Sequence, residues 1–195
     1  MKARILLAGV AGLSLALVAS LGTAEEKKEF NCKCVVSGGP AKETSVVEYK
    51  GKKVYFCCNN CPKKFEADPE AFTVKVRAQW AVTGQLVQVA CPFSGRPLNA
   101  DTAIDVGGAS VAFCCNNCKG RAEKAEDVLA LIFGDIAKGF TLQTVCPLSN
   151  KPINVDISVE HDGKKVYFCC PGCPDGFKAD PEKFLSKLPQ FAEEG

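Results

Sequence analysis

One cysteine spacing, written three times, constrains this chain more than anything else in it. Cys34, Cys91 and Cys146 are each followed after 22 residues by an adjacent pair: Cys57-Cys58, Cys114-Cys115 and Cys169-Cys170. Cys61, Cys118 and Cys173 then close the pattern Cys-x22-Cys-Cys-x2-Cys in each copy. The copies recur at intervals of 57 and 55 residues (34 to 91, 91 to 146), and of the 13 cysteines only Cys32 stands outside them. Neighbouring residues keep the same register. Ser37, Ser94 and Ser149 lie three places after the first cysteine, and Pro40, Pro97 and Pro152 three places further on. Between 47–72 and 159–184, 18 of 26 aligned positions are identical, which chance does not produce. Such a fingerprint means one small unit built three times.

Each unit reads the same way. A short strand, as at 86–89, leads into a turn around the first cysteine that Pro and Gly favour. Alternating apolar residues over 45–49 and 53–56, separated by Lys50-Gly51, predict a β-hairpin. The adjacent cysteines then fall at a strand-to-helix junction, and 59–67 is predicted helical with Phe65 inward. Asp68-Pro69-Glu70 and Asp180-Pro181-Glu182 restart a helix, since Asp caps, Pro at the first position loses no bond, and Glu suits the positive end. The middle copy has Ala125-Glu126-Asp127 there, which predicts one unbroken helix from 119 to about 133. Segments 73–82 and 131–138 read as helix ends plus linker. The fold class is therefore small α+β: three tandem treble-clef-like modules of β-hairpin plus helix. They span 28–76, 85–133 (divergent) and 140–188, with a tail over 189–195. A unit of about 45 residues is too small for an apolar core alone to be enough, so a metal or a disulfide is needed in each.

The thiols have metal-ligand spacing. Cys57 and Cys61, four apart across a helix start, face the same side. The turn carrying Cys34 folds back over that start, gathering Cys34, Cys57 and Cys61 around one point, as in treble-clef zinc fingers. Those fingers place a second cysteine in the turn where this chain has Ser37, Ser94 or Ser149, a poor ligand. Three thiolates with a weak fourth position favour a soft, low-coordinate ion such as Cu(I) over closed tetrahedral Zn(II). Either member of each adjacent pair could coordinate. The four-residue relation to the last cysteine favours the first, leaving Cys58, Cys115 and Cys170 as auxiliary ligands or as small buried apolar side chains. Cys32 could add a ligand in the first copy only.

Cys146–Pro152 (Cys-Pro-Leu-Ser-Asn-Lys-Pro), Gly163–Cys173 (Gly-Lys-Lys-Val-Tyr-Phe-Cys-Cys-Pro-Gly-Cys) and Phe177-x-Ala-Asp-Pro-Glu-x-Phe184 together resemble the YHS domain and the overlapping TRASH metal-binding family. The first copy resembles it through 51–61 and 65–72; the second less so, with Ala112, Ala122 and Glu126 where the others carry Tyr, Phe and Pro. The resemblance implies a small treble-clef-like fold that binds or senses heavy metals. It also implies the ligand sets Cys34, Cys57, Cys61; Cys91, Cys114, Cys118; and Cys146, Cys169, Cys173. Members are often attached to copper-transport proteins, so a metal transporter or another exported protein is an expected partner. The chain differs from many members in carrying Cys rather than Ser after the first cysteine of each pair.

Charge and the N-terminus bound the rest. Lys plus Arg is 24 against 22 Asp plus Glu, a net charge of +2, leaving no basic excess to neutralise nucleic-acid phosphates. Lys2 and Arg4, then 17 uncharged residues over 5–21 and Gly22-Thr23-Ala24, read as a signal peptide over 1–24. Export to the periplasm or outside, with no stable membrane span after cleavage, is the expectation. No Ser/His/Asp set, paired-carboxylate motif or phosphate loop is visible, so the chain reads as a binding protein rather than an enzyme. His161 aligns with Tyr49 and Val106 and is not a ligand common to the copies. Two other readings remain: a disulfide-stapled module that binds another protein, and a thiol redox protein using the Cys58-x2-Cys61 spacing.

Overall fold

The computed structural model describes residues 30–191, so the signal peptide expected over 1–24 lies outside the described residues. Each copy contributes an antiparallel hairpin. β1 (Lys42–Tyr49) pairs with β2 (Lys52–Phe56). The second and third copies repeat this with β4 (Asn99–Val106) on β5 (Ala109–Phe113), and β7 (Asn154–His161) on β8 (Lys164–Phe168). All three hairpins close in two residues with positive φ at both, which matches the right-handed twist of the strands. Those residues are Lys50-Gly51, Gly107-Gly108 and Asp162-Gly163. Gly107 is needed twice over, because a Cβ there would also meet Leu129 Cδ1 at 2.5 Å.

A short helix follows each hairpin: α1 (Asn60–Ala67), α3 (Asn116–Glu123) and α5 (Cys173–Ala179). Phe65 and Phe177 point inward from α1 and α5 onto Phe56 and Phe168. Asp68 accepts a hydrogen bond from the Ala71 amide (3.3 Å) where the chain restarts as a single 3-10 turn and then α2 (Thr73–Val82). In the third copy the restart is α6 (Glu182–Leu185). The strand expected over 86–89 shortens to β3 (Val87–Gln88), which pairs with β6 (Phe140–Thr141), so the approaches to the second and third copies are laddered together.

Two expectations fail in the same place. The single helix expected over 119–133 is two, α3 and α4 (Val128–Phe133), because Asp127 turns its carboxylate onto the Ala130 amide (2.9 Å) and caps a new helix. The segment 73–82, expected as helix ends plus linker, is a full helix of 10 residues, with Val76, Ala78, Gln79 and Trp80 buried. Both helices cover the same surface. The middle copy carries Ala122 where the others carry phenylalanine, and an alanine leaves its hairpin uncovered. α4 supplies Ile132 and Phe133, both fully buried, and α2 packs across both hairpins, with Arg77 Nη1 donating to the Phe133 carbonyl (3.0 Å) at the end of α4. The first two copies thus share one core. The third has its own, built on Val166, Phe168, Phe177 and Leu188. Among the described residues no helix is long and apolar enough to cross a membrane.

Candidate metal centres

The first cysteine of each copy sits in a turn shaped the same way three times. The Cys34 amide donates to the Gly39 carbonyl (2.7 Å) and the Gly38 amide back to Cys34 (2.8 Å). Cys91 with Arg96 and Gly95, and Cys146 with Lys151 and Asn150, repeat both bonds. The fourth residue after the cysteine has positive φ in every copy: Gly38 (74°), Gly95 (67°) and Asn150 (56°), all residue types that tolerate it.

A glutamine fastens each turn to its hairpin. Gln143 accepts from the Tyr167 amide (3.0 Å) and donates to the carbonyls of Tyr167 (2.6 Å) and Val145 (3.0 Å). Gln88 does the same for Ala112 and Ala90. In the first copy the equivalent position is Asn31, and the role passes to Gln79 of α2, which binds Tyr55 through both groups and the Lys33 carbonyl. Sequence reading missed this clamp. The available signal was glutamine three residues before Cys91 and Cys146, broken by asparagine before Cys34.

Clamped this way, each turn lies over a helix start and three sulfurs converge. Cys34, Cys57 and Cys61; Cys91, Cys114 and Cys118; and Cys146, Cys169 and Cys173 each lie with their sulfurs within 4.8 Å of one another. The pairs Cys57–Cys61, Cys114–Cys118 and Cys169–Cys173 stand 3.6, 3.7 and 3.7 Å apart. Thiolates bound tetrahedrally to one ion at about 2.3 Å are separated by about 3.8 Å, so one pair in each triad is already at ligand spacing and the third sulfur lies within 4.8 Å of it. The residues fit a thiophilic ion: each group can hold a metal, and all 13 cysteines are free thiols. The serine of each turn does not stay apart. Ser37, Ser94 and Ser149 Oγ lie 3.1, 3.2 and 3.1 Å from Cys57, Cys114 and Cys169 Sγ.

The protons are unevenly held. Burial pushes the Cys34 thiol up, but the Ser37 hydroxyl and the amides of Ser37, Cys57 and Val36 outweigh it and bring it down to about 7. Cys146 is likewise opposed by burial and brought down to about 6 by the Cys169 amide, the Ser149 hydroxyl and the Ser149 and Leu148 amides. Cys91 is lowered in the same way. Burial and shared hydrogen bonds with the neighbouring sulfurs push Cys61 and Cys118 up to about 12. Cys173 is raised too, by its hydrogen bond with Cys170 first and burial second. Each group therefore has one sulfur ready to be anionic and one that keeps its proton until a cation replaces it.

The remaining candidates fall outside the triads. Cys58 and Cys170 are exposed, with Sγ 3.5 Å from Cys61 and 3.2 Å from Cys173. Cys115, whose backbone is extended as the first cap of α3, instead leans on Cys114 (3.7 Å). The second group also has a cation beside it, Arg96 Nη2 at 3.5 Å from Cys114 Sγ. Cys32 belongs to no triad. It lines a cavity with Phe30, Asn31, Tyr55, Val82, Thr83 and Gly108, where burial and then the charges of Cys34 and Glu43 push its thiol up to about 11. His161 packs its ring on Phe177 and Phe191 in the third core. Comparison with family models, curated proteins and solved structures finds no match for this chain.

Proposed function

We propose that this chain is an exported metal-binding protein of the YHS/TRASH type, with one three-thiolate centre per treble-clef-like module. In this reading it sequesters or hands over soft ions, with Cu(I) and Zn(II) the leading candidates. The observation that carries the reading is the threefold recurrence of three sulfurs within 4.8 Å of one another, each on the same clamped turn and helix start. The fourth corner favours Cu(I). A serine hydroxyl beside the sulfurs adds no strong ligand, and three sulfurs suit a low-coordinate ion. The experiment is reconstitution of the reduced, signal-free protein under anaerobic conditions with Cu(I), Zn(II) and Hg(II) in turn. Three equivalents are expected; a stoichiometry near zero for every ion refutes the reading. A metal transporter or another exported protein is the proposed recipient, testable by transfer from the loaded chain.

A further inference from the structure

The sulfurs left outside the triads are not distributed alike. Cys58 and Cys170 are solvent-exposed, whereas Cys61 and Cys173, three residues on, are buried triad members. Each pair spans a turn closed by a backbone bond, Cys61 N to Cys58 O (3.3 Å) and Cys173 N to Cys170 O (3.2 Å). A turn closed between residues three apart holds their α-carbons within about 7 Å, and a disulfide needs about 4.4–6.8 Å. The sulfurs already touch, at 3.5 and 3.2 Å. The middle copy differs: there Lys119, not Cys118, donates to the Cys115 carbonyl (3.1 Å), and the Cys115 sulfur rests on Cys114.

We propose that Cys58–Cys61 and Cys170–Cys173 are thiol–disulfide exchange sites for a disulfide-bearing oxidant, each closing a disulfide that takes one sulfur from its triad and releases the ion. The metal release rests on the triad reading above; the exchange does not. The exposed thiolate of Cys58 attacks the oxidant disulfide, R–S–S–R, forming Cys58–S–S–R and expelling one RS⁻. The Cys61 sulfur then attacks Cys58 Sγ, forming the Cys58–Cys61 disulfide as the S–S bond between Cys58 and the SR group breaks, and a second RS⁻ leaves. The pair is oxidised by two electrons, the oxidant becomes two thiols that take up the protons, and any bound ion keeps its oxidation state while its sulfur ligands fall from three to two. The Cys170–Cys173 pair follows the same sequence, and the middle centre keeps its ion.

The test treats the reduced full chain, free of its signal segment and loaded with Zn(II), with oxidised glutathione in the absence of air. Zinc release is read by a chelating dye and disulfides are mapped by mass spectrometry. The expected result is two of three ions released, with Cys58–Cys61 and Cys170–Cys173 disulfides and neither Cys114 nor Cys118 oxidised. The Cys58→Ser, Cys170→Ser double variant alters only exposed thiols; it is expected to bind three ions and to release them at least about tenfold more slowly. Disulfides that join Cys34 or Cys57, or release from the double variant at the parent rate, overturn the inference while leaving the metal reading intact. Failure of the reduced parent to take up any ion defeats the metal reading, and the release step with it. The mapped disulfides then report on the exchange alone.

Discussion

Replacing Gln143 by leucine removes the clamp of the third copy, together with the bond that its Oε1 accepts from Gln190 Nε2 (3.1 Å). The side chain is 1% exposed and satisfies three backbone groups: the Tyr167 amide and the carbonyls of Tyr167 and Val145. Left buried without a partner, each group costs about 1–3 kcal/mol. The leucine adds apolar surface that offsets about 1–2 kcal/mol, leaving a net loss of about 1–8 kcal/mol, with a midpoint of about 4. Whole domains are stable by only about 5–15 kcal/mol, and this core rests on six buried residues, so the third module is expected to lose much of its stability when reduced and metal-free. Amide exchange of β8 measures this directly. Protection of 164–168 should collapse, whereas the thermal transition followed by Trp80, which lies in the core shared by the first two copies, should stay in place. Zinc affinity at Cys146, Cys169 and Cys173 should fall in step, because the ion must then supply the folding free energy. Protection of the β8 amides within about tenfold of the parent, or less than about 1.4 kcal/mol, would refute the claim that the glutamine holds the turn.

Ser149→Cys places a fourth sulfur where the hydroxyl now lies 3.1 Å from Cys169; competition titration should show Zn(II) affinity at that centre rising at least about tenfold relative to Cu(I), and no change sinks the fourth-corner argument. Stability of the reduced, metal-free protein should depend on pH with a defined sign. Cys34 at about 7 and Cys146 at about 6 lie below the ordinary 9.0, so their contribution is complete above 9 and is lost as pH falls towards 6. Cys61 and Cys118, raised to about 12, contribute below 9 and lose that contribution as pH rises towards 12. Melting temperature should therefore peak near pH 9, and a steady fall from pH 6 upward contradicts it. Gly107→Val forces a side chain into Leu129 at a φ of +67°; chemical denaturation should show a loss of about 1–3 kcal/mol confined to the core containing Trp80.

The sequence carried the repeated parts of this structure and was silent on the unrepeated ones. Hairpins, helix starts and the convergence of Cys34, Cys57 and Cys61 follow from residues that recur in register, where alternation, turn chemistry and spacing agree. The segments 73–82 and 119–133 were misread because their roles are set by tertiary need. α2 is a helix with little one-sided apolar character, buried on several sides by hairpins that precede and follow it. The break before α4 turns on one carboxylate, Asp127, which in sequence is one of several acidic residues near the end of a helical pattern. The Gln79 clamp was beyond reach for a different reason: it substitutes for Asn31 across 48 residues, and only the folded chain brings the two positions to the same turn.

The division into a shared core and a separate one has a mechanical side. The first two modules interlock through α2 and α4, whereas the third is held to them by the two-residue β3–β6 ladder and by Lys52, whose ammonium reaches the Leu142 carbonyl at 2.9 Å. Under tension from the chain ends the ladder and the small core are the weakest elements in series. The third module should give way first and alone, lengthening the tether by about 160 Å for its roughly 50 residues. The pair behind it should yield later in a single event of about 370 Å, with no pause to mark the boundary between its two cysteine triads. Three equal copies in the sequence thus become two units of unequal strength in the folded chain.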